Sequence, residues 1–149
     1  MNAARSASSD PRTAKSDSFL SLQMLLYYDN YVTWIYFFFE LLLYTYKGYA
    51  LAYPRLNLAT DLVALILLVI LQMGRIHVAS VGNKTERSGP TVAGLLLGLI
   101  VIGILVYFMD LQTYVLRVDV YANAILITFL GLELVLGFLA AIIFKGSEQ

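Results

Sequence analysis

The sequence predicts an all-α polytopic membrane protein, an antiparallel four-helix transmembrane bundle. Three observations carry that expectation. The 149 residues are 60% hydrophobic and 13% charged, with a mean hydropathy of +0.75. A soluble domain carries about 25% charged residues, and so few charges could not cover so apolar an interior. Four stretches, at about 24–46, 58–79, 92–109 and 120–144, are each close to the ~20 apolar residues that a helix needs to cross a bilayer. The segments between them, 47–57, 80–91 and 110–119, are short enough to force each helix antiparallel to the one before it.

Composition also excludes whole classes of function. Ten basic and ten acidic side chains cancel, so no strong field recruits nucleic acid. The chain has no cysteine, which removes disulfides, thiolate zinc sites, thiol catalysis and palmitoylation. No HExxH, P-loop or GxSxG motif is present. The sequence therefore offers no catalytic residue, no cofactor site and no metal site.

Taken in order, residues 1–21 are expected to be a disordered cytosolic tail, because their first 18 residues are rich in Ser, Ala and charge and have no apolar face. Residues 22–145 form the four-span membrane domain, and 146–149 a second short cytosolic tail. A cleaved signal peptide is not expected, since the apolar run begins only at Phe19 and is too long. Basic residues set the orientation. Arg5, Arg12, Lys15, Arg75, Lys84, Arg87 and Lys145 lie on one side, against Lys47, Arg55 and Arg117 on the other. Both termini are therefore expected in the cytosol. The sequon Asn83-Lys84-Thr85 would then lie in the cytosol, and a glycan there would invert the topology.

The first two spans carry polar stripes. Asp29, Thr33, Tyr36, Glu40, Tyr44 and Lys47 recur at helical spacing, as do Asn57, Asp61, Ala64, Leu68, Gln72 and Arg75. At 3.6 residues per turn each set lies on one face, and ionisable groups in a span must turn away from lipid. Folding the hairpin near Ala52 sets Asp29 level with Arg75, Thr33 with Gln72, and Lys47 with Asn57 and Asp61. Glu40 comes level with Ala64, which provides no partner. In the fourth span Glu133 shares a face with Leu126, Leu130, Gly137 and Ala140, with Gln72 the expected partner by depth. The third span is plain apart from Gly94 and Gly98, a GxxxG spacing that permits close helix approach. Twelve of the twenty aromatic residues lie between Tyr27 and Tyr53. The tyrosines near the span ends suit the membrane interfaces, whereas Phe37, Phe38 and Phe39 face lipid or a partner's helix. His77 is expected at the interface.

Several short segments also resemble a known family. They are Phe39-Glu40-Leu41, Tyr46-Lys47-Gly48, Tyr53-Pro54, Asn57-Leu58 with Asp61, Gly82-Asn83, LQTYVLR at 111–117, Asn123, and Leu132-Glu133-Leu134. In order and spacing they resemble the small four-span family that contains transmembrane proteins 17, 80 and 216, over about residues 20–144. That resemblance implies a structural role in the tectonic-like (Meckel syndrome) complex of the ciliary transition zone, supporting ciliogenesis and gating ciliary membrane content. It implies tectonics and other transition-zone membrane proteins as partners, and no cofactor. The family typically has Glu three residues before the Arg of the second span. Here Gln72 precedes Arg75, which favours the cross-helix Asp29–Arg75 contact.

The resulting expectation is a non-enzymatic scaffold subunit, embedded in membrane lipid, that docks on partner helices through Gly94, Gly98 and its Phe-rich first span. Asp29, Glu40, Asp61, Gln72, Arg75 and Glu133 are its structural polar residues. Two other readings remain open. One is a small proton-coupled transporter using Glu40 or Glu133. The other is a lipid-handling or tetraspan adaptor without ciliary links.

Overall fold

The computed structural model describes residues 11–147. Four helices follow in order: α1 Pro11–Ala50, α2 Arg55–Thr85, α3 Ser88–Val106 and α4 Arg117–Ser147. A π-helical turn, Tyr107–Leu111, continues α3. The helices alternate in direction, and α1 packs against both α2 and α4, so the bundle closes on itself. Among the described residues three helices are long and apolar enough to cross a membrane: α2, α3 with its π turn, and α4. The first is less apolar because its span carries Asp29, Asn30 and Glu40 along with several tyrosines. It completes the polytopic bundle by packing along its neighbours.

One face of each helix is apolar or carries paired polar groups, and these faces meet. In α1 the buried positions include Leu22, Leu26, Asp29, Thr33, Tyr36, Glu40, Tyr44 and Lys47. In α4 they include Asp119, Asn123, Leu126, Leu130, Glu133, Ala140 and Phe144. Both follow steps of three and four, the period of a helix with one inward stripe. The main core joins Tyr36, Tyr44, Leu65, Leu68, Val101, Leu105, Phe108, Leu126 and Leu130. A smaller one joins Leu22, Leu26, Ala140 and Phe144 near the start of α1. The outer surface carries large apolar side chains such as Ile35, Leu42, Ile70, Leu99 and Val135. Lipid tails solvate that exterior.

The helices outrun the expected spans. Residues 11–21 carry helical backbone where a tail was expected. An established helix extends cheaply. Residues 1–10 and 148–149 of the expected tails lie outside the described residues. The 80–91 loop also shrinks, because α2 runs to Thr85 and α3 starts at Ser88. Glu86, in the left-handed region at φ 51, closes α2 with its N–H on the Gly82 carbonyl. Apolarity marks where hydrocarbon ends, whereas backbone hydrogen bonding carries a helix beyond it. Asn83 is thus helical and 6% exposed, a poor position for a glycan on either side of the membrane.

That tight turn rests on Gly82. A Cβ there would lie 2.6 Å from Thr91 Oγ1 and 2.7 Å from the Thr91 backbone nitrogen. Backbone cannot move aside as a side-chain tip can. Gly82→Ala should therefore cost about 1–3 kcal/mol, in the range of overpacked cores. A melting temperature in detergent equal to the parent's would contradict this.

Candidate functional site

A charge inside a bilayer must be paired, hydrogen-bonded or neutralised. Among the described residues thirteen polar or charged side chains are buried, and most gather into two clusters. Asp29 in the first and Lys47 in the second are roughly 27 Å apart along α1 at about 1.5 Å per residue. That separation nearly matches the ~30 Å hydrocarbon core.

The first cluster centres on Arg75 of α2, which is 2% exposed. Its Nη2 donates to Asp29 Oδ2 of α1. Its Nη1 lies 2.7 Å from Glu133 Oε2 of α4, an ion pair without hydrogen-bond alignment. Its Nε donates to Gln72 Oε1 at 3.1 Å, and Gln72 Nε2 donates to Asp29 Oδ2 at 2.7 Å. One guanidinium thus ties three helices together, a use suited to its planar fork of donors. The fourth helix contributes space. A Cβ on Gly98 of α3 would lie 3.4 Å from Arg75 Cδ and 2.8 Å from Leu134 Cδ2. One turn away, Gly94 lies against Ala79 of α2, at 3.0 Å from its Cβ.

The second cluster joins α1 to α4. Lys47 Nζ lies 2.6 Å from Asp119 Oδ2, with both residues essentially unexposed. Lys47 also donates to Gln112 Oε1 at 3.4 Å and sits 5.0 Å over the Tyr44 ring. Gln112 Nε2 donates to the Tyr44 hydroxyl. Asp119 Oδ2 accepts the Leu116 N–H at 2.8 Å, and Asn123 Nδ2 donates to the Asp119 carbonyl at 2.8 Å. The Tyr36 hydroxyl donates to Asn123 Oδ1 at 2.9 Å, which carries the network to mid-depth. Glu40, 2% exposed, lies beside that hydroxyl, and its Oε1 has no hydrogen-bond partner among the described residues.

Asp61 forms a third, smaller site. It accepts from the Tyr53 hydroxyl and, at 3.0 Å, from the Tyr107 hydroxyl. The π turn directs Tyr107 this way while Phe108 stays in the core. Tyr53 lies in the α1–α2 turn. Burial, and then its hydrogen bond to Asp61, hold its phenol above its ordinary range, so it remains a donor.

Several expectations change here. Lys47 pairs with Asp119 rather than Asp61, because α4 also flanks α1. Glu133 meets Arg75 rather than Gln72, whose amide is taken by Asp29. Thr33 Oγ1 has no hydrogen-bond partner among the described residues. Asn57 is exposed and donates to Thr113 at 3.1 Å, while Leu65 takes the inward place expected for Ala64. Gly94 and Gly98 are buried between the chain's own helices, so they present no docking face. Phe38 is exposed, edges against Phe37 and lies tilted against Trp34. His77 is exposed. Asp119 and Gln112 were not foreseen. Stepping back along the Glu133 face, through Leu130, Leu126 and Asn123, reaches Asp119 and would have found it.

The described residues hold no cluster of His, Cys, Asp and Glu suited to a metal. What the arrangement does is bind helices: each cluster draws on side chains from at least two. Residues 24–130 match the model of the Transmemb_17 family, described as "Predicted membrane protein". The chain is 34% identical to Transmembrane protein 216 of Rattus norvegicus, over 86% of this chain and 91% of that one. It is 36% identical to Transmembrane protein 216 of Danio rerio, over 85% of this chain and 79% of that one. Against Transmembrane protein 216 of Homo sapiens it is 35% identical, over 77% and 79%. No solved structure matches the chain.

Proposed function

The chain belongs to the Transmemb_17 family of membrane proteins, and from that membership we propose that it is a non-enzymatic structural subunit of the ciliary transition-zone membrane. In this reading it joins the tectonic-like complex, meets tectonics and other membrane subunits through helix faces, and helps to limit exchange between plasma and ciliary membranes. Both termini face the cytosol, as the distribution of basic residues favours.

One observation carries the structural role. The buried polar groups are spent on holding the helices together, and the connections between helices are only a few residues long. Such a molecule acts through its outer surface. Glu40 and Glu133 are each 2% exposed and enclosed by neighbouring side chains. That enclosure supports structural roles for both acids over proton-coupled transport. With Gly94 and Gly98 used internally, the exposed face of α1 around Trp34, Ile35 and Phe38 is the better surface for a neighbouring helix.

The test is to express the tagged full chain in ciliated cells. Concentration at the cilium base, with recovery of tectonic-type proteins, is the expected result. Spread through other membranes without those proteins would overturn the reading. Phe38→Ala with Trp34→Ala should lower partner recovery while leaving the chain's own abundance unchanged.

A further inference from the structure

The outer surface holds a groove of about 700 Å³ between α3 and α4. Val92, Leu96 and Leu99 form one wall, Phe138 and Ile142 much of the other, and Lys145 stands at its mouth. We propose that this groove seats one acyl chain of an anionic phospholipid, with the phosphate against the Lys145 ammonium.

The dimensions favour a lipid over a partner helix. On α3 the lining runs from Ser88 to Leu99, and on α4 from Lys145 back to Leu134. Each wall is twelve residues long, roughly 16 Å from end to end at about 1.5 Å per step. A bilayer core is ~30 Å thick, so the groove is one leaflet deep. An acyl chain rooted at the interface ends at that depth, whereas a crossing helix continues through the second leaflet.

The chemistry along the groove agrees. Its depth is aliphatic and aromatic, and its polar groups sit at the interfacial end. Lys145 is exposed and makes no ion pair among the described residues. Arg87 and Glu86 precede Ser88, and among the described residues Lys145 is the charged side chain that lines the groove. A phosphate bearing a net negative charge complements it, and a zwitterionic headgroup does so less well.

The full chain in nanodiscs of equal phosphatidylglycerol and phosphatidylcholine with matched acyl chains tests the assignment. Lipid retained through detergent extraction is counted by native mass spectrometry. About a fivefold enrichment of phosphatidylglycerol is expected, the size of one basic residue at an anionic surface. Lys145→Gln should abolish the enrichment and leave a lipid bound. Leu96→Trp should fill the groove and remove the retained lipid of both kinds. Both positions are exposed, and a helical circular dichroism spectrum identical to the parent's verifies the fold. Equal retention of the two lipids by the parent overturns the proposal. So does enrichment that survives Leu96→Trp, since general surface attraction then explains it. Photo-crosslinking from position 96 to a second protein rather than to lipid also overturns it.

Discussion

Arg75→Met should lower the stability of the purified chain by about 3–5 kcal/mol, the range seen when one member of a buried ion pair is removed. The loss exceeds what the missing contacts suggest. Asp29, at 0% exposure, and Glu133, at 2%, would be left facing a void with no cation between them. Gln72 would lose the donor to its Oε1 as well. The measurement is thermal or denaturant unfolding in a mild detergent. Two further variants separate charge from packing. Arg75→Met combined with Asp29→Asn and Glu133→Gln should recover most of the loss, because neutral amides need no counter-charge. Replacing all three residues with Leu should come close to the parent, since a desolvated ion triad adds little over well-packed apolar groups. If Arg75→Met unfolded as the parent does, the guanidinium would have to be reaching water or headgroups.

Lys47→Met should be nearly as costly, at about 3–5 kcal/mol by the same reasoning. The Lys47 and Asp119 side chains are 0% and 1% exposed, and Glu40 lies buried nearby. Removal of the ammonium would leave those two acids without a cation, while Gln112 would lose its donor. Asp119→Asn in the Lys47→Met background should restore much of the stability and keep an acceptor for the Leu116 N–H. A double-mutant cycle reads the pair directly. Contacting charges in a shared network couple by about 0.5–3 kcal/mol. A cycle that closes to zero would mean that Lys47 extends to the lipid headgroups.

The inward stripes of the first two helices were legible because the helical period is fixed and ionisable groups cannot face hydrocarbon. Hence the Asp29–Arg75 contact could be placed from spacing alone. The partners of Lys47 and Glu133 could not. Folding one hairpin flat pairs only adjacent helices, whereas the closed bundle sets α1 between α2 and α4. Lys47 then turns to the later helix, and one guanidinium serves two carboxylates. The helices run past the expected span ends for another reason. Hydropathy locates the hydrocarbon boundary, but the left-handed Glu86 ends α2 beyond it. Gly94 and Gly98 were read as close-contact residues, and a Cβ on either would crowd Ala79 or Leu134. Their spacing carries no information on whether the contact lies within the chain or outside it.

The spacing of the ion pairs along the chain bears on how the protein is made. Asp29 has already left the ribosome when Arg75 appears, so the first pair can close between the two earliest helices. Lys47 must wait for Asp119, which emerges about 72 residues later. At roughly 5–20 residues per second that delay is about 4–14 s. Until the last segment arrives, the ammonium lacks the carboxylate it pairs with, and water and lipid phosphates are the groups able to solvate it. Chains whose translation stops before Asp119 should therefore be the ones that the cell's membrane quality control removes.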